Sequence, residues 1–434
     1  MRLERLGRED VERLGGPLGV AAHLRALVPS GASVRDAVGD IVASVRERGD
    51  EAVLDRTRRF DTGGAEPRAL RVPERELDEA LERMGLDVVA GLQVAIANVA
   101  RVADATIGPG EVSVELPQGH TVTLRELPVG SAAVYAPGGR AAYPSTVVMG
   151  VVTARAAGVV DVAVCTPPGP DGQAHPAILA ACRLCGVERV YRMGGAQAIA
   201  ALVFGTVSVT RADVVVGPGN LYVQEAKRQL SHLVGIEGFA GPSDLMVVFG
   251  ADADVRLVAL DVLAQAEHGA GSLVAAVSSS REALDALEAE IEREQTRWPD
   301  VSPSACVLVE TASAGEAIEL ANEFAPEHLQ LIGAAEEMLA GKVRAAGCLF
   351  LGPGSATAFG DYTAGSNHVL PTGGAARFSS ALSPRDFRRR MSVVEIGPDA
   401  AAKLAKAGAP VARAEGFPVH AESMLARVRE NGGS

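Results

Sequence analysis

The chain has 434 residues, 47% hydrophobic and 22% charged, and its 41 Lys and Arg against 54 Asp and Glu give a net charge of −13. That length exceeds one simple core and, at ~150 residues per domain, suggests two to three domains. The acidic balance without a basic block argues against nucleic acid as a partner. No stretch reaches ~18 uninterrupted apolar residues, and the start MRLERLGREDVERLGG is too charged for a signal peptide, so a cytoplasmic location is expected.

From about residue 20 to 105 the pattern is helical and charged, after which TVTLRELPVGSAAVYAPGG alternates as strands do. From Ala132 a regular beat sets in: AAVYAPGG, STVVMGVVTARAAG, DVAVCTPPG, PAILAACRLCG, VERVYRMGG, AQAIAALVFG and ADVVVGPGN run on towards GCLFLG. Short β-rich runs ending in Gly or Pro and followed by helices mean right-handed βαβ units and parallel sheets. The units are too many for one modest sheet. The expected class is therefore α/β, with two Rossmann-like, doubly wound lobes around a cleft. After His368 the beat ceases in a loop-rich stretch, and the tail reads as two short helices around a Pro-containing turn. Such a tail is too small to bury a core of its own and should pack on something else, another subunit included.

Five cysteines, an odd number, fit reduced thiols rather than a disulfide framework. Cys182 and Cys185 form a C-x-x-C inside the apolar helical run PAILAACRLCGV with no second pair, which favours packing over zinc.

Ligands of open α/β sheets bind beyond the carboxyl ends of the strands. Glycine-rich loops expected at such ends are YAPGGR (135–140), MGGAQ (193–197), VGPGN (216–220) and AGPSD (240–244). None is G-x-G-x-x-G, and any one alone is explained by a tight turn. Together, with Tyr135, Gln197 and Asn220 at helix starts, they tilt towards a nucleotide.

In LDVLAQAEHGAGS, Asp261, Gln265, Glu267 and His268 fall within eight residues, with Gly269 placed to stop the helix. Spacing puts Gln265 and His268 on one face and turns Glu267 away. Half of a metal or proton site and an ordinary polar helix face fit that pattern equally. Glu327 and His328, adjacent after Pro326, form a plausible general-base pair, though such neighbours also arise by chance on surfaces. His368 lies behind Asp361, and His420 follows Glu415 by five residues. Asp, His and Gln side chains suit a divalent metal such as Zn²⁺.

Nine segments in one order, YAPGG, GGAQAIAAL, VGPGN, AGPSD, LAQAEH, APEHL, GDYTAGSNHVLPTGG, ARFSSALS and AEGFPVHAESM, closely resemble the histidinol dehydrogenase family from roughly residue 25 to 428. The resemblance implies a homodimeric, zinc-dependent enzyme that oxidises L-histidinol to L-histidine through L-histidinaldehyde. It would reduce two NAD⁺, as the last step of histidine biosynthesis. Carried over by motif, one Zn²⁺ per subunit would be held by Gln265, His268, Asp361 and His420. Glu327 and His328 would be catalytic. Ser243 and Glu415, with Gln265, His268, His328, Asp361 and His420, would contact substrate, and Tyr135, Gln197 and Asn220 would contact NAD. The expected division is an N-terminal helical segment (1–25), a first lobe (26–133 with 243–326), an NAD-binding lobe (134–242 with 327–380) and a C-terminal tail (381–434) on the partner subunit. Competing readings are a dehydrogenase of another small polar alcohol, a zinc hydrolase, and a non-catalytic nucleotide-binding protein.

Overall fold

The computed structural model describes the chain except residues 29–30, 139–140, 239–240, 270, 300, 302–303 and 429–434, so the end of YAPGGR and the start of AGPSD lie outside the described residues. Two compact units emerge: residues 1–106 with 130–387, and residues 107–129 with 388–434.

The first unit holds two parallel sheets. The five-stranded sheet runs Arg189–Arg192, Asp161–Thr166, Ser131–Tyr135, Val214–Val216, Gly235–Ile236 from edge to edge. In the six-stranded sheet the order is Arg2–Leu6, Ala305–Glu310, Leu273–Ser278, Asp244–Phe249, His328–Ile332, Cys348–Leu351. Counted in chain order, and setting the Arg2–Leu6 edge strand aside, each sheet lies third, second, first, fourth, fifth. That is the doubly wound arrangement, with its switch point between first and fourth strands. Strand residues alternate between two cores: Met246, Val248, Ala275 and Val277 enter one, and Leu245, Val247, Val274 and Ala276 the other. Burial on both faces is why these strands read as continuous apolar runs.

The segments group differently from the expected lobes. Strands His328–Ile332 and Cys348–Leu351, assigned by sequence to the nucleotide lobe, complete the six-stranded sheet. Residues 35–60, assigned to the other lobe, instead put Val38, Ile41, Val45 and Val53 into the core of the five-stranded sheet. Both assignments followed order along the chain, whereas burial of an apolar face decides the partner. The N-terminal segment expected as helical opens with strand Arg2–Leu6, paired to Ala305–Glu310.

Helix Leu86–Ala105 is long and apolar enough, by length and composition, to cross a membrane, although only 22% of the window is buried. Asp87, Arg101 and Asp104 interrupt its run, which is why a search for uninterrupted apolar residues passes over it. The second unit has an antiparallel sheet of Arg388–Glu395, Thr121–Pro128 and Glu111–Glu115. The stretch read as loop-rich thus contains a strand. The tail does form two helices, Pro398–Ala414 with Pro410 inside it and Pro418–Leu425.

Candidate active site

A cavity of about 800 Å³ lies between the two sheets of the first unit, with Tyr143, Asn220, Ser243, His268, Glu327 and Asp361 among its walls. The five-stranded sheet contributes loops from its carboxyl ends, after Tyr135 and Val216. The six-stranded sheet contributes its amino ends, since Asp244 and His328 open their strands. Of AGPSD, residues 241–243 lead into the amino end of Asp244–Phe249 and line the cavity.

Glu327 reaches the cavity through an unusual turn. Ala325 caps helix Ala314–Phe324 with φ of 49°, the one non-glycine residue of positive φ among those described. Pro326 then forbids further helix, and Glu327 and His328 follow at the strand start. Glu327 Oε2 accepts from Ser243 Oγ at 2.6 Å and from the Asp244 N–H at 3.0 Å. Asp244 returns the bond, its Oδ1 accepting from the Glu327 N–H at 2.7 Å. Gln265 Nε2 donates to Ser243 Oγ at 2.8 Å, so a relay runs Gln265–Ser243–Glu327. Burial, and then the charge of Asp244, raise the Glu327 carboxyl well above the ordinary carboxylate range, and the bonds from Ser243 and Asp244 only partly oppose this.

His328 is buried, with Nδ1 3.7 Å from Glu327 Oε2 and Nε2 3.8 Å from Asp361 Oδ1. Asp361 sits on helix Thr357–Tyr362, and its carbonyl lies 2.9 Å from His368 Nδ1. The carbonyl can only accept, which puts the His368 proton on Nδ1 and leaves Nε2 to accept from Thr146 Oγ1 at 3.0 Å. Desolvation pushes the His368 pKa down, keeping the ring neutral.

Helix Val255–Ala266 carries Gln265, buried, in its last turn, but His268 lies beyond the Glu267 cap and is exposed on the cavity wall. A continuous helix is therefore not what brings them together. Single turns carry the chain on, His268 N–H donating to the Gln265 carbonyl at 3.2 Å, before Gly269, φ 118°, ends them; Ser272 Oγ donates to the Gly269 carbonyl at 2.8 Å and Ser304 Oγ to that of Ala266 at 3.1 Å. Glu267 is exposed on the cavity wall, whereas Gln265 is buried.

On the side of the five-stranded sheet, Asn220 caps helix Leu221–Leu230, its Oδ1 accepting from Tyr222 and Val223 N–H, and lines the cavity. Tyr135 and Gln197 are buried behind that wall, with the Tyr135 hydroxyl accepting from the Gly195 N–H at 3.2 Å. Gly217, φ 115°, presses so closely on the Tyr135 carbonyl that a Cβ there would collide with it.

Sequence reasoning had assigned Ser243, Gln265, His268, Glu327, His328 and Asp361, and they gather here. Glu415 and His420 lie in the second unit, both exposed, with His420 5.2 Å ring to ring from Phe417. It missed Asp244, although that residue ends a quoted motif, and Arg25, which bonds Asp244 Oδ2 at 2.7 Å. Cys182 is fully buried and burial raises both thiols of the C-x-x-C.

Among the described residues no three His, Cys, Asp or Glu side chains stand together as a metal cage. His268 and Asp361 nevertheless bring an imidazole and a carboxylate to one cavity, and Gln265, buried and bonded to Ser243 of the same wall, carries an amide oxygen beside them. Those are N and O donors of the kind a borderline divalent ion takes, one short of a tetrahedral set.

The family model described as histidinol dehydrogenase matches residues 28–428. Histidinol dehydrogenases of Mycobacterium bovis and Parasynechococcus marenigrum are 42% and 40% identical, covering 94% and 91% of this chain and 95% and 91% of their own. The crystal structure of histidinol dehydrogenase from Elizabethkingia anophelis superposes with a TM-score of 0.88 at 29% identity, covering 98% of each chain.

Proposed function

The chain belongs to the histidinol dehydrogenase family, and from that membership we propose the full reaction: oxidation of L-histidinol to L-histidine through L-histidinaldehyde, with two NAD⁺ reduced. It is the last step of histidine biosynthesis, carried out in the cytoplasm by a homodimer. The observation that carries this reading is the meeting of Glu327, His328, Asp361 and His268 on the cavity beside the Asn220 loop.

Gln265, His268 and Asp361, with His420 of a C-terminal tail, would hold Zn²⁺, which would supply a Lewis acid that orients substrate, and the Asn220 side would hold NAD⁺, which would supply the hydride acceptor. His328 takes the hydroxyl proton as hydride leaves the alcohol carbon, and Asp361, 3.8 Å from Nε2, stabilises the imidazolium that forms. Glu327 removes a proton from the water that adds to the aldehyde. Its raised pKa makes the ionised form a stronger base than an ordinary carboxylate, so the step should speed up as pH climbs towards that raised value. The hydrated aldehyde then loses the second hydride to give the carboxylate. Ser243 orients Glu327 and, with Glu415, contacts substrate. Tyr135, Gln197 and Asn220 shape the nucleotide side.

Glu327→Gln should slow aldehyde oxidation roughly 100- to 10,000-fold while sparing histidinol oxidation. His328→Asn should slow both. Stopped-flow assays started from each substrate separate the half-reactions; equal losses for Glu327→Gln, or none for His328→Asn, contradict the assignment.

A further inference from the structure

The matched family segment begins at residue 28. Ahead of it, helix Gly16–Ala26 packs on helix Ala314–Phe324, and Arg25 stands in its last turn. The Arg25 guanidinium reaches four places at once. Nη1 donates to Asp244 Oδ2 at 2.7 Å, and Nη2 donates to the carbonyls of Phe324 and, at 3.1 Å, Ala325. The flat face lies 3.6 Å over the Phe324 ring. These are the groups that build the turn into Glu327: the carboxylate that accepts the Glu327 N–H, and the left-handed Ala325 that no ordinary side chain favours. Asp244 is 1% exposed and stands against Glu327, a second carboxylate, so a cation is needed on its far oxygen.

We propose that Arg25 is a positioning residue for the water-activating step, holding Asp244 and the Phe324–Ala325 carbonyls so that Glu327 keeps its place on the cavity. The inference rests on Glu327 being the base. A planar fork is required, because a lysine ammonium can neutralise Asp244 but cannot also span the two carbonyls and stack on Phe324. Beside Arg25 a second cavity of about 200 Å³, lined by Leu18, Ala21, Glu323, Gly373 and Arg377, leaves room for a small planar cation to replace the side chain.

The test measures both half-reactions in zinc-loaded, folded full-length protein carrying Arg25→Ala, Arg25→Lys or Glu327→Gln. Arg25→Ala should lose roughly 10- to 100-fold in kcat for aldehyde oxidation, with KM for NAD⁺ and the rate of histidinol oxidation close to the parent's. Arg25→Lys should fall between the two. Millimolar guanidinium should restore Arg25→Ala several-fold, where tetramethylammonium does not. If Arg25→Ala fails to fold, Arg25→Lys decides the matter alone: a loss confined to aldehyde oxidation supports the proposal, and parental rates overturn it. Parental rates in folded Arg25→Ala, or equal losses in both half-reactions that guanidinium leaves unmoved, also overturn it. Glu327→Gln separates the two claims. If that variant spares aldehyde oxidation, the role of Glu327 fails and Arg25's falls with it; if it loses that activity while Arg25→Ala does not, only the Arg25 proposal fails.

Discussion

Glu327 is held by two donors on one oxygen and opposed by burial and by Asp244, and the opposition wins. The consequence extends to stability. With its folded-state pKa raised above the ordinary 4.5, the folded protein keeps a proton that the unfolded chain has lost. Over that window the folded state binds more protons, so stability falls as pH climbs from 4.5 towards the raised value. Glu327→Gln cannot lose a proton. In metal-free protein, its melting temperature relative to the parent should therefore rise with pH through that window; a difference that stays constant with pH contradicts the assigned environment. Glu327, His328, Gln265, His268 and Asp361 were legible in the sequence because their residue types carry recognisable chemistry in motifs that resemble a known family. Asp244 and Arg25 were not. Their parts in the site come from partners 83 and 219 residues distant in the chain, and nothing local to HLRAL announces such a contact.

The loop 217–220, at the carboxyl end of Val214–Val216, owes its shape to a buried ion pair. Lys227 Nζ, fully buried, donates at 2.6 Å to the Gly217 carbonyl and to Glu237 Oε1, which in turn accepts the Gly217 N–H at 2.8 Å. Both backbone polar groups of Gly217 are thus pinned next to the Asn220 cap. Lys227→Met would leave Glu237 buried without its cation and should cost about 3–5 kcal/mol in urea denaturation. Adding Glu237→Gln should recover part of that stability, yet the double variant should still show a raised KM for NAD⁺. Parental stability in the single variant contradicts the bracing role. At this scale the βαβ beat was readable in the central strands of the two parallel sheets, since strands buried on both faces are apolar runs closed by Gly or Pro. The strands that escaped notice, Arg2–Leu6, Gly235–Ile236 and Arg388–Glu395 among them, lie at sheet edges. Edge strands carry charges on purpose and lack the apolar pattern that marks a central strand.

In the first unit as a whole, the two sheets use opposite ends. The five-stranded sheet offers the carboxyl-end loops where doubly wound sheets bind nucleotides, and the six-stranded sheet turns the amino ends of its first and fourth strands, Asp244 and His328, to the same cavity. One sheet would then serve the cofactor and the other the reacting carbon. The two parallel sheets were legible as two lobes and a cleft. Which segments joined which lobe was not, because chain order says nothing about which apolar face a crossing helix will cover. The central claim, a metal-dependent oxidation in two steps within one cavity, is tested most directly by counting NADH formed per L-histidinol consumed by metal-analysed protein, before chelation, after it, and after zinc is restored. The account predicts about two NADH per histidinol, lost on chelation and regained with zinc. One NADH with free aldehyde, or turnover indifferent to chelation, would contradict it.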